Sequence, residues 1–294
     1  MARLNAARAI KRYPVANGIF YPDSPETLAG QLCSWGLREG QSGLACGGQV
    51  LIAPHGTWTL TGNAAGTAFT EVQARGKKNG RPVSLVILLG SASLSGEEGI
   101  YLSESAFFET PLGQIPVDLN MNRKLSSCST LIEINDIPHL IDHSLEVFLP
   151  LVRYCFPEAK IVPILISGKK PVLISALARA INVVFEEYME ESLFIVSSNA
   201  AQDPDPSLAS AMAGEFCTLL EKMDDKAFLT RLNEGRISAS GSVPVCALLE
   251  SRLFEGRNFS LLCPLSHCQG ELGETVYYGA FLSGKSEEMS GSVF

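Results

Sequence analysis

Long hydrophobic runs, a surplus of basic residues and paired-cysteine motifs are all missing from this 294-residue chain. Its longest strongly apolar stretch, VSLVILLG at 83–90, falls far short of the roughly 18 residues that mark a membrane span. Lys and Arg number 23 against 31 Asp and Glu, a formal net charge of −8, so no field draws the chain to a phosphate backbone or an anionic lipid surface. Neither nucleic acid nor a membrane is expected as a partner. The eight cysteines (33, 46, 128, 155, 217, 246, 263 and 268) form no CxxC pair and no repeated spacing, which points to buried, reduced thiols in a cytoplasmic protein. No apolar core or small-residue cleavage site follows the basic opening MARLNAARAIKRYP, so it reads as a short first helix and not as a secretory signal. The phosphate-loop, GxGxxG and GxSxG patterns are absent too, which removes the usual signposts of nucleotide and hydrolase chemistry.

What is present is material for a large core: 46% of residues are hydrophobic and the mean hydropathy is +0.16. Strand-length apolar runs at 49–54, 83–89, 160–166 and 192–198 alternate with segments of helical period at 59–75, 139–156, 171–190, 206–222 and 242–254. That alternation predicts an α/β fold, a single-domain αβα sandwich with a mostly parallel central sheet. Two closing strands, 258–266 and 275–284, read as a hairpin joined by the polar QGELGE turn. With no Pro- or Ser-rich divide, residues 1–294 are expected to form one domain, with 1–13 as an N-terminal extension and 285–294 as a flexible tail.

Ligands of an open parallel sheet approach the carboxyl ends of its strands. His55 follows the first apolar run, Ser91 to Ser93 follow the second, and Asn199 follows the last. Of these, only His55 is a strong metal ligand or general base. Ser93 with His55 could mimic a Ser–His hydrolase pair, but no acid is identifiable to orient it. In PHLIDHSLEVFLP, His139, His143 and Glu146 stand at offsets 0, 4 and 7, a helix face that could supply three zinc ligands or serve structure alone; the structural use is preferred. His267, between Cys263 and Cys268, invites a similar reading, which strand alternation discounts.

Taken in order, VANGIFYP (15–22), APHGTWTLTG (53–62), VILLGSAS (86–93), ETPLGQIPVD (109–118), HLIDHSLEVFLP (139–150), IVPILISG (161–168) and IVSS (195–198) resemble the Memo family, protein B of AmmeMemoRadiSam systems. The resemblance implies a fold similar to class III extradiol dioxygenases, with a non-haem metal in the strand-end cleft. Of the five pocket positions it implies, His55 alone keeps a family-type ligand; Ser93, Asn199, Gln202 and Ser240 stand at the others. Trp58, Glu109 and Asp118 are then expected at the cleft rim, with Asp118 also able to cap the helix after it.

Hydroxyls and carboxamides are neutral and hold transition metals poorly. The expectation is therefore a non-catalytic Memo-like protein, a pseudoenzyme without a metal cofactor that binds a protein, peptide or small molecule or serves in assembly. The alternative is a redox or dioxygenase-like enzyme whose iron or copper is held by His55 with His139, His143 or a cysteine. Family resemblance further implies a radical SAM enzyme and an AMMECR-type protein as partners.

Overall fold

The computed structural model describes residues 10–40, 46–76, 81–92, 98–270 and 272–285. Among them an eight-stranded sheet runs in the order Arg257–Leu261, Phe281–Lys285, Gln49–Ala53, Ser192–Ser197, Leu85–Ser91, Lys160–Ser167, Gly99–Leu102, Ile132–Ile134. The four central strands are mutually parallel. Antiparallel pairings of Phe281–Lys285 with Gln49–Ala53, and of Gly99–Leu102 with Lys160–Ser167, extend it on either side. Sheets covered on both faces need apolar residues at every position, and Val50 to Ala53, Val86 to Leu89 and Leu193 to Val196 are all fully buried.

Alternate strand residues feed two cores. On one face Ile52, Ile87, Ile164 and Phe194 pack with Leu177 and Ile181 of helix Pro171–Phe185, Phe216 of Pro206–Lys222 and Leu248 of Ser242–Glu250. On the other, Leu51, Leu88 and Ile195 pack with Leu28 of Pro25–Ser34, Phe69 of Trp58–Ala74 and Leu151 of Leu149–Cys155. The result is the αβα sandwich that the hydrophobic pattern predicts. Local chemistry fixes the helix starts: Ser24, Asp118 and Asp205 each accept from backbone N–H groups of the first turn, and Pro25 and Pro206 occupy first-turn positions where no N–H is needed.

Four local expectations are corrected. Residues 139–156 are not one helix: Ile137–Ile141 ends at Asp142, whose backbone is extended (ψ 133°), and Leu149–Cys155 follows only after a short 3-10 turn. The stretch 275–284 does not close on 258–266. It divides into Thr275–Tyr278 and Phe281–Lys285 at Gly279, where an added Cβ would lie 2.6 Å from Leu265. Thr275–Tyr278 pairs with Ser266–Gln269 in a separate small sheet completed by Ala201–Asp203. The turn at 270–274 thus joins different strands from those expected. The N-terminal stretch is no mere extension, because Lys11–Arg12 pair with Phe107–Phe108 and Arg12 is 1% exposed; residues 1–9 lie outside the described residues. At the other end Lys285 belongs to a strand, paired with Arg257, and 286–294 lie outside the description.

Among the described residues no helix is long and apolar enough to cross a membrane. All eight cysteines are free thiols. Cys46, Cys155 and Cys246 are buried, whereas Cys33 and Cys128 are exposed, contrary to a uniformly buried set.

Candidate functional site at the strand ends

Ala53 and Ser197 are paired across two adjacent parallel strands, and Ser198 N–H donates to Ala53 O. His55 and Asn199 therefore emerge side by side, each two residues beyond the paired positions. Two glycines let neighbouring segments close on this end of the sheet. At Gly90 a Cβ would sit 2.8 Å from Ser144 Oγ, and at Gly241 one would sit 2.1 Å from Ser197 O. The first close approach brings segment 142–145 over the strand ends, and the second seats Ser240 against Asn199.

Two backbone groups then dictate where the protons lie. Ser144 O can only accept, so at 2.8 Å the Ser197 hydroxyl proton is committed to it. His55 Nδ1, 2.8 Å from the same hydroxyl oxygen, must be the donor in that contact, which leaves a lone pair on Nε2. Ser240 N–H can only donate, and at 2.7 Å it fixes Asn199 Oδ1 as acceptor. Asn199 Nδ2 consequently points to Gln202 Oε1 at 3.2 Å, and the Gln202 NH2 group is turned away from Asn199. Desolvation first, and then His143, lower the His55 pKa from its ordinary value to about 4, so the imidazole is neutral at pH 7. The His143 ring lies 6.2 Å from it, edge-on, and is itself backed by Phe20 at 4.3 Å.

The sequence-predicted residues thus fall into two sets. His55, Asn199, Gln202 and Ser240 are brought together, while Ser93 lies outside the described residues. His139, His143 and Glu146 diverge instead of sharing a face. His139 is buried, donates from Nε2 to Tyr101 O at 3.1 Å, and is held neutral by burial with a pKa near 4. Glu146, fully buried, ion-pairs with Arg12 and accepts from Val15 N, Ala16 N and the Tyr21 hydroxyl. Burial, and then the carboxylate, push the Tyr21 phenol up, so it remains a donor.

Glu109 and Asp118 have their polar partners away from this cluster, and Trp58 meets it through its backbone, whose N–H donates to Phe20 O. Trp58 is a core residue, 5% exposed, donating to Val147 O and packed between Tyr21 and Trp35. Glu109 accepts from Lys11 and Gln114. Asp118 caps its helix, as expected, but contacts Lys160 at the wrong end of its strand; seven residues separate that end from Ser167, roughly 23 Å at strand rise. His267 stacks on Tyr277 while Cys268 meets Tyr278, so alternation does separate them. Ser197, Ser144 and Phe20 are site residues that the motif reading passed over, although Ser197 sits in the quoted IVSS at a strand end.

A transition metal would need three or four imidazole, thiolate or carboxylate donors. Among the described residues no group of three or more His, Cys, Asp or Glu side chains could hold one. Cys246 lies in the opposite core, its thiol pushed up to about 12 by burial, and Asp142 Oδ1 is engaged by Ser144. The donor set does not fit an iron, copper or zinc centre.

Fold and cluster together define an α/β sandwich protein whose candidate site, at the carboxyl ends of the parallel strands, gathers His55, Asn199, Gln202 and Ser240. The Memo-like protein family model matches residues 12–278, and the chain belongs to that family. It is 28% identical over 285 residues to a MEMO1 family protein of Thermotoga neapolitana, covering 92% of this chain and 98% of the relative. To a MEMO1 family protein of Metallosphaera sedula it is 24% identical over 250 residues, covering 82% and 86%. The fold is also similar to that of the crystal structure of an uncharacterized protein, JW3007, from Escherichia coli K12, with TM-score 0.53 and 12% identity over 80% of this chain and 99% of that one.

Proposed function

We propose that this Memo-family chain acts by binding and not by metal-dependent catalysis, using the strand-end cleft to hold a peptide or small molecule. The observation that carries the reading is the proton arrangement at His55 and Gln202. The groups where the resemblance implies metal ligands are neutral, and Asn199 and Ser240 satisfy one another. Such a set recognises hydrogen-bonding partners far better than cations. The proximity of His55 and His143 is the one feature that favours the redox alternative, since two imidazoles are half of a usual ligand set.

Elemental analysis separates the two. Protein purified without chelator, then loaded with ferrous, cuprous or zinc ions and desalted, should retain metal at a small fraction of one equivalent. Retention of about one metal per chain, lost in His55→Ala, would establish the alternative.

A further inference from the structure

We propose that a second copy of this chain docks on the Ile132–Ile134 edge of the main sheet, pairing strand to strand about a two-fold axis at Ile134. Ile132–Ile134 ends the eight-stranded order and is bonded on one side to Gly99–Leu102. Ile100 N–H donates to Leu131 O and Asn135 N–H donates to Leu102 O, so the backbone groups of 131, 133 and 135 face that neighbour. In a parallel ladder the residues between them turn the other way. The N–H and C=O of Ile134 therefore point off the sheet, where no strand among the described residues pairs with them. Such an edge is a template for another strand.

The helix that follows is inside out. Asn135 Oδ1 accepts from Ile137 N–H, which starts helix Ile137–Ile141 three residues after Ile134. Its buried positions are Pro138 and His139, and His139 is bonded through its ring to Tyr101 O and through its carbonyl to Arg12. Ile137, Leu140 and Ile141, at offsets 0, 3 and 4, share the opposite face and are 65%, 45% and 62% exposed. A surface helix ordinarily presents polar and charged residues there. With Ile134 at 42%, the strand edge and the helix carry four exposed aliphatics within eight residues.

Area and register both fit a second copy. The four side chains leave on the order of 400 Å² of apolar surface per copy. Doubled, and taken as the roughly 60% apolar share of an ordinary interface, this gives about 1,300 Å², within the range of stable complexes. Antiparallel pairing centred on Ile134 lets the two copies exchange both N–H···O bonds at that residue, the isologous contact of a closed dimer. The same register sets Glu133 opposite Asn135, so the exposed carboxylate of the strand does not meet itself. Glu133 and Asp142 flank the face, and their acidity disfavours an anionic lipid surface as the occupant.

Sedimentation equilibrium of the full chain tests the proposal. At about 100 μM the mass should approach twice the chain's 31.6 kDa. Ile134→Glu and Ile134→Lys each place like charges at the axis and should separately weaken association at least about tenfold, while an equimolar mixture of the two should restore the dimer. Ile141→Glu, on the helix, should weaken it as well. Circular dichroism should show all three variants folded like the parent, because these side chains are exposed. A monomer at this concentration, a dimer that the charged variants keep, or a mixture that stays monomeric would overturn the proposal. A monomeric chain that floats with phosphatidylcholine vesicles would also overturn it, and would assign the face to lipid.

Discussion

Segment 142–146 has a charged pocket on one side and a neutral cleft on the other, and the two dispose of hydrogen-bonding capacity in opposite ways. Around Glu146 the partners converge: Arg12, two backbone N–H groups and the Tyr21 hydroxyl surround one carboxylate that solvent does not reach. Around His55 the internal bonds stop one short at each end, leaving a lone pair on Nε2 and an NH2 group on Gln202. Residues of the strings VANGIFYP and HSLE, which carry much of the family resemblance, are spent largely on the first pocket. Motif retention here reports how the N-terminal arm is fastened to the sheet, and it says little about chemistry at the strand ends.

The sharpest way to break this contrast is to uncouple the buried pair. Glu146→Ala leaves Arg12 charged and unpartnered in the interior and should cost about 3–5 kcal/mol in chemical denaturation, whereas Gln202→Ala in the cleft should stay within roughly 0.5 kcal/mol. Comparable losses at the two positions would erase the distinction.

Acid should expose a second difference. His139 and His55 both have folded pKa values lowered to about 4 by burial, against about 6.5 when unfolded. The unfolded chain then binds the extra protons first, so stability is fully present above about pH 6.5 and is lost as pH falls toward 4. For His139, 2% exposed, the loss approaches about 3 kcal/mol. In His139→Gln, which can still donate to Tyr101 O, the slope of stability against pH between 4 and 6.5 should flatten; an unchanged slope would place the titration elsewhere.

The smallest effect concerns Trp58. Removal of its N–H in Trp58→Phe should cost about 1 kcal/mol through the lost bond to Val147 O and leave cleft binding unaltered. An effect on ligand affinity instead of stability would return Trp58 to the rim.

Much of the fold was legible because strands buried on both faces leave unbroken apolar runs, and 49–54, 160–166 and 192–198 each fall within a residue of an observed strand. Breaks within a favourable pattern were not. The helical period of 139–156 continues through Asp142, where hydrogen bonds from Ser144 to its carboxylate and from Arg12 to its carbonyl hold a non-helical turn. Arg12 itself, in a basic opening that looks solvated, is buried because its partner stands 134 residues away, a pairing no local pattern encodes. At the site, strand-end logic located His55 and Asn199. The tautomer of one and the amide orientation of the other depend on the backbone groups of Ser144 and Ser240, which only the fold brings near.

The central claim is the proton arrangement at His55, and nitrogen-15 NMR of the imidazole measures it directly. The account predicts a neutral ring with the proton on Nδ1, an acceptor-type Nε2 resonance, and titration near pH 4 that Ser197→Ala alters. A proton on Nε2, or titration near the ordinary histidine value of about 6.5, would contradict it.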